Sequence, residues 1–159
     1  MSVFPVLYTS EVAVDEGFMR EALRLAGEAR GEEAPVGAVV VIGGEIAGRG
    51  WNSPIARVDP TAHAEILALR EAAAHTGNYR LPGATLYSTL EPCVMCAGAL
   101  VAARVDRLVF GARDLRFGGV RSKFRLADSD KLNHAAEIVE GVLAVEFVEL
   151  LRAFFAARR

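Results

Sequence analysis

The chain has 159 residues, 52% of them hydrophobic and 24% charged, with a formal net charge of −2. Those values favour one packed domain over residues 1–159, exclude a disordered chain, and argue against indiscriminate nucleic-acid binding. Met1 to Ser10 has no basic n-region, no stretch approaches the roughly 18–20 apolar residues of a membrane span, and the two cysteines are too few and too close for a disulfide framework, so a reducing, cytoplasmic setting is expected.

Val14 to Arg30 reads as the first helix: Phe18, Ala22, Leu25, Ala26 and Ala29 recur at three-to-four spacing, and Gly31 closes the run. Val36 to Ile42 is an almost pure β-branched stretch. Gly43-Gly44 is a hairpin signal, and Glu45 to Gly50 is its partner strand. Trp51 to Thr61 holds two prolines and reads as a loop. Asp59-Pro60-Thr61 then opens a helix from about Ala62 to His75, closed near Gly77. Thr85 to Leu90 is a short strand, and Pro92 starts a helix running to about Ala103. Arg107 to Phe110 is a third buried strand. Asp114 to Asn133 is a long polar connection, and about Leu143 to Arg158 is the last helix. Strands alternating with helices predict a layered α/β domain.

Charge is unevenly spread. Residues 104–131 hold Arg104, Arg107, Arg113, Arg116, Arg121, Lys123, Arg125 and Lys131 against Asp106, Asp114, Asp128 and Asp130. The segment is either a solvated loop face or a phosphate-contacting one.

The chemistry sits in His63-Ala64-Glu65 and Pro92-Cys93-Val94-Met95-Cys96. Cys93 and Cys96 are three apart at a predicted helix start, so both sulfurs can reach one ion. A helix N-terminus favours thiolate over thiol. His63 adds an imidazole. Three ligands leave one tetrahedral position open, which marks a catalytic zinc, and a water there loses a proton near pH ~7. Glu65 lies beside the metal but is poorly placed to ligate, so it is the candidate proton carrier. H-x-E…P-C-x-x-C is the recognised pattern of zinc nucleobase deaminases.

Taken singly, the parts are weaker. Cys-x-x-Cys alone also suits a redox dithiol. A closed structural zinc site would need a fourth ligand. His75 is about 18 Å beyond His63 along a helix at 1.5 Å per residue, while spacing alone leaves His134 open.

On wider motifs the chain resembles the bacterial tRNA-specific adenosine deaminases. The likeness runs through Pro35-Val36-Gly37-Ala38-Val39, Gly50-Trp51-Asn52, Asp59-Pro60-Thr61-Ala62-His63-Ala64-Glu65, Asn78-Tyr79-Arg80-Leu81, Thr89 to Ala99, and Phe110-Gly111-Ala112-Arg113-Asp114. It covers about residue 15 to 159. It implies the cytidine deaminase-like three-layer α/β/α sandwich, with a central mixed sheet of about five strands. It implies one Zn²⁺ per subunit on His63, Cys93 and Cys96, with Glu65 as proton shuttle, and a homodimer. The implied reaction is adenosine to inosine at the first anticodon position of a tRNA, in most bacteria an arginine tRNA. Water activated by the zinc would attack C6 of a flipped-out adenine.

The resemblance also implies substrate contacts. Asn52 matches an asparagine that hydrogen-bonds the target nucleotide, with a loop-capping side chain as the plain alternative. Backbone N–H groups of Ala64 and of the Cys93 turn could hold the base or the attacking oxygen. Pro35, Val36 and Leu90 would line the pocket or simply fill core. Asp114 matches a position close to the anticodon-loop backbone, and Arg113 and Arg116 could meet phosphates. Phe155, Arg158 and Arg159 occupy a helix end that in the family approaches RNA, unless Phe154 and Phe155 merely pack that helix down. Leu115 to Asp130 departs from the family in being more basic and more aromatic, with Phe117 and Phe124. The rival reading is a zinc deaminase of a free base or nucleoside such as guanine or cytosine, and a non-catalytic RNA-binding zinc domain is disfavoured by Glu65.

Overall fold

The computed structural model describes the backbone of residues 4–158 and the side chains of residues 10–158. In chain order the elements are α1 (Phe4–Ala26), β1 (Gly37–Ile42), β2 (Glu45–Trp51), α2 (Pro54–Arg57), α3 (Ala64–Thr76), β3 (Thr85–Leu90), α4 (Val94–Ala102), β4 (Arg107–Ala112), β5 (Glu137–Glu140) and α5 (Ala144–Ala156). One five-stranded sheet joins the strands in the order β2-β1-β3-β4-β5. The β1–β2 and β1–β3 pairs are antiparallel, and β3–β4 and β4–β5 are parallel. The sheet is therefore mixed, as the resemblance implies.

The core follows the strand period. On one face Val39, Val41, Tyr87 and Val109 pack against Met19, Ala22 and Leu25 of α1. On the other Ala38, Val40, Leu86, Leu108 and Phe110 meet the apolar sides of α3 and α4. Each fully buried Leu, Met or Phe contributes roughly 1.5–3 kcal/mol by leaving water. Both faces of β1 are covered, which is why its sequence runs apolar without alternation. The hairpin closes on Gly43 and Gly44 at φ 59° and 78°, as a two-residue loop requires.

Register gathers the site at one end of the sheet. Gly37 pairs with Trp51, Ala38 with Ser88, and Leu90 with Ala112. Val36, Asn52, Leu90 and the residues after Ala112 therefore collect at that end. Two close approaches keep it compact. A Cβ on Gly37 would collide with the Ala22 carbonyl of α1, and one on Gly50 with the Ala64 carbonyl at the start of α3.

Several predicted boundaries move. α1 ends at Ala26, not Arg30, because Gly27, Glu28 and Ala29 turn back onto Arg24, Leu25 and Ala26; it begins ten residues earlier than expected, at Phe4. The 51–61 segment holds a single helical turn, α2, with proline in its first turn. Asp59 does not begin the next helix. Its carboxylate accepts from the Thr61 N–H and hydroxyl, making a turn that delays α3 to Ala64. The fifth strand implied by the resemblance is not located by the residue pattern: β5 is a four-residue strand with glutamate at both ends. No helix among the described residues is long and apolar enough to cross a membrane.

Candidate active site

His63 and Cys93 are not inside the first turns of their helices but are the N-cap residues, with extended backbones (φ −73°, ψ 154° and φ −72°, ψ 178°). Neither side chain caps its own helix, so both are free to face each other. Cys96 follows in the first turn of α4. His63 Nδ1 lies 3.6 Å from Cys93 Sγ and 3.5 Å from Cys96 Sγ. The three donor atoms lie within 4.8 Å of one another. A tetrahedral zinc with Zn–S of ~2.3 Å and Zn–N of ~2.0–2.1 Å sets its N and S ligands about 3.6 Å apart. The donor set and its spacing fit that ion, and no fourth protein ligand joins them among the described residues. His134 is engaged with the Val105 carbonyl at 2.6 Å, and His75 is exposed.

The electrostatics agree. The contact with Cys96 pulls the Cys93 thiol down to about 4 against the opposing effect of burial, and His63 adds to the pull. The same contact, with burial, pushes Cys96 up. Without metal one proton is therefore shared across the cysteine pair, and a cation is what makes both sulfurs thiolates. Glu65 is 5% exposed, and burial pushes its carboxyl up, opposed by its own N–H and by His63. A carboxyl raised in this way holds a proton more readily than an exposed glutamate, which suits a group that carries protons.

A cavity of about 480 Å³ opens onto this cluster. His63, Glu65 and Cys93 line it, and so do the predicted substrate residues Val36, Asn52, Leu90 and Asp114. The Asn52 N–H donates to the Val36 carbonyl at 3.0 Å, but its side-chain amide makes no hydrogen bond among the described residues. The described residues therefore give the Asn52 amide no loop-capping partner. Ala64 is fully buried, so its contribution is the free N–H at the start of α3. Pro35 is buried behind Val36 and is not among the cavity residues. The cleft between α1 and the β1–β2 hairpin, about 570 Å³, has no metal ligand in its lining.

Two predicted contacts lie elsewhere. Arg113 is committed to Glu140, with Nε to Oε1 at 2.8 Å and Nη2 to Oε2 at 3.2 Å, and does not line the cavity. Phe155 lines a separate cleft on α5 with Val148, Leu151 and Arg152, and stacks edge-on against Phe154 at 5.2 Å. Phe155 is 52% exposed, so within one chain it neither reaches the metal-site cavity nor packs α5 onto the core. Arg159 lies outside the described residues. Much of the basic bias is also spent internally: Arg107 pairs with Asp15, and Arg121 and Arg125 with Asp128.

Glu91 is a site residue that sequence reasoning missed. It is 2% exposed and lines the cavity. Burial would raise its carboxyl, but hydrogen bonds from Ser122 and loop N–H groups outweigh that and hold it below its ordinary value. Its only sequence signal was a charged residue between a buried strand and the Pro-Cys turn.

Residues 12–112 match the family described as the cytidine and deoxycytidylate deaminase zinc-binding region. The chain is 52% identical over 147 residues to the tRNA-specific adenosine deaminase of Haemophilus influenzae, spanning 91% of this chain and 85% of that one. It is 47% identical over 146 residues to the enzyme of that name from Bacillus subtilis, spanning 91% of each. The chain belongs to the tRNA-specific adenosine deaminases. A solved structure from a study of A-to-I editing by tRNA:A34 deaminases superimposes with a TM-score of 0.80 at 43% identity, over 85% of this chain and 99% of that one. The guanine deaminase of Nitrosomonas europaea shares the fold more distantly, with a TM-score of 0.74 at 26% identity over 89% and 84% of the two chains. As a member of the adenosine deaminase family the chain is a zinc-dependent hydrolytic deaminase with the cytidine deaminase-like fold.

Proposed function

We propose that this chain converts adenosine to inosine at the first anticodon position of a tRNA, with His63, Cys93 and Cys96 holding the zinc and Glu65 carrying protons. The observation that carries the reading is the cavity lined by His63, Glu65 and Cys93 together with Asp114 and Asn52, whose amide has no hydrogen-bond partner among the described residues. The adenine must leave its stack to enter. When bound, zinc supplies an activated water. Glu65 would take a proton from the attacking water and deliver it to N1 as oxygen adds to C6, then pass the second proton to the departing amino group. Water and adenosine become inosine and ammonia, and Glu65 ends as it began. Asn52 can both donate to and accept from the target nucleotide. The Ala64 N–H at the α3 N-terminus is set to hold the base or the attacking oxygen. Val36 and Leu90 give the ring apolar walls.

The finer parts of the reading have separate support. A homodimer is supported by family membership and by exposed apolar side chains on α2, just after it and at the start of α4: Ile55, Val58 and Val94 are 63%, 91% and 48% exposed. That is surface a second copy would cover. An arginine tRNA as substrate and a cytoplasmic location follow from the family resemblance.

The test is an inosine assay on an anticodon stem-loop with adenosine in the first position, run beside free adenosine, guanine and cytosine. Inosine in the stem-loop with little turnover of the free compounds is expected. Turnover of free guanine or cytosine with none on the stem-loop would establish the rival reading.

A further inference from the structure

Between β4 and β5 the chain forms neither helix nor strand, yet the start of this segment is firmly mounted. Glu91 Oε1 accepts from the Asp114 N–H at 3.1 Å and from the Ser122 hydroxyl. Its Oε2 accepts from the N–H groups of Val120, Arg121 and Ser122 at 3.1, 2.8 and 3.0 Å. The Gly119 N–H donates to the Pro92 carbonyl at 2.8 Å, and Gly118 bridges to Cys93. A Cβ on Gly118 would overlap the Glu91 carboxylate, and one on Gly119 would press on Val94. Charge-assisted bonds to one buried carboxylate make residues 114–122 a rigid extension of the turn that carries Cys93.

Phe117 stands on this mount. Its N–H and that of Arg116 donate to Asp114 Oδ1 at 3.1 and 3.0 Å, which fixes the backbone on either side of the ring. Phe117 is 62% exposed and lines the same cavity as His63, Glu65 and Asn52. The Arg116 guanidinium lies 5.3 Å from its ring centroid. Apart from that cation–π contact, an exposed ring leaves apolar surface in water. Beside a pocket for one base, with a cation at its edge, it has the composition of a single-strand nucleic-acid contact: a ring for a base and a charge for the phosphate. The rigid mount means that little freedom is lost on binding.

We infer that Phe117 is a stacking platform for the nucleobase adjacent to the target adenosine, held in place by Glu91. This rests on the RNA substrate reading above and deepens it. A free nucleoside has no neighbouring base to place on the ring, so the platform favours a polynucleotide over a monomer.

The test uses the full-length, zinc-loaded chain and an anticodon stem-loop with 2-aminopurine placed in turn on each side of the target. Binding to the Glu65→Ala protein should quench 2-aminopurine on one side, and the further change Phe117→Ala should abolish the quench. With Glu65 intact, Phe117→Ala should lower kcat/KM on the stem-loop roughly ten- to a hundred-fold, mainly through KM. Phe117→Trp should retain activity, and Phe117→Leu, which keeps bulk without a π face, should behave like alanine and serves if the alanine variant fails to fold. Unchanged kcat/KM in the alanine and leucine variants, quenching that survives them, or a loss explained by a changed oligomeric state each overturns the inference. A wild-type chain that leaves the stem-loop unmodified overturns the substrate reading and this inference with it, whereas an active wild type with indifferent Phe117 variants overturns the inference alone.

Discussion

His63 Nδ1 and Cys93 Sγ stand 3.6 Å apart on the N-caps of two different helices, a separation matched to two ligands of one ion. Purified protein should therefore carry about one zinc per chain by elemental analysis. Cys96→Ala should fall to a small fraction of that and lose turnover, because the site cannot close on two ligands. Glu65→Ala should keep its zinc and still lose turnover by roughly 10²–10⁴-fold. A Glu65→Ala protein that remains active would remove the proton-carrier assignment, and one that loses its zinc would make Glu65 a ligand.

The pair Asp15–Arg107 ties α1 to the sheet. Two bonds of 2.8 and 2.7 Å join them, and the Tyr87 hydroxyl donates to Asp15 at 2.7 Å. Burial would raise the Asp15 carboxyl, but the bonds from Arg107 and Tyr87 outweigh it and hold it below its ordinary value. A depressed folded value means that the stabilisation is fully present above the unfolded pKa of ~3.9 and is lost as pH falls through the folded one. Asp15→Asn should cost about 3 kcal/mol at pH 7, the low end for a broken buried pair, since Glu11 and Glu137 remain 3.6 and 3.8 Å from Arg107. Urea unfolding from pH 7 to 3 should show the gap between the two proteins narrowing below about pH 4. A gap that stays constant over that range would sink the account.

Gly50 allows α3 to lie directly on β2, two residues before Asn52 and beside the turn carrying His63. Gly50→Ala places a methyl against the Ala64 carbonyl and the Ala68 N–H. Overpacking of this kind costs about 1–3 kcal/mol. The larger effect should be on rate, because displacing the α3 N-terminus moves His63 and Glu65 together, and a 1 Å misplacement can cost about 10²-fold. Thermal unfolding and stem-loop turnover read the two effects separately. A variant that loses stability but keeps full turnover would show that the close approach serves packing alone.

The metal chemistry was legible because it is local: residues two and three apart at helix starts carry the ligands and the carboxylate. The central strands were legible because β1, β3 and β4 are buried on both faces and read as apolar runs. What stayed hidden depends on partners distant in sequence. β5 is an edge strand of only four residues, half-buried at Ile138 and Val139, and the exposed glutamate at each end masks it. Arg113 looked available because Glu140, 27 positions on, cannot be seen as its partner from sequence. The 114–122 segment read as loose because the group that orders it, Glu91, lies on another element.

Glu91→Gln tests that last relationship directly. A glutamine has one acceptor oxygen where the carboxylate has two. If the amide oxygen takes the place of Oε2 and keeps the Val120, Arg121 and Ser122 N–H groups, the amide nitrogen faces the Asp114 N–H, donor against donor. One buried donor is then unsatisfied, at a cost of about 1–3 kcal/mol in stability. Asp114 and, through it, Phe117 should lose their fixed position, so KM for the stem-loop should rise severalfold while zinc content stays near one. The double variant with Phe117→Ala separates positioning from general loosening. If Glu91 acts through the Phe117 mount, the double variant should be little worse in kcat/KM than Phe117→Ala alone. Effects that add within ~0.5 kcal/mol would mean that the two residues act independently.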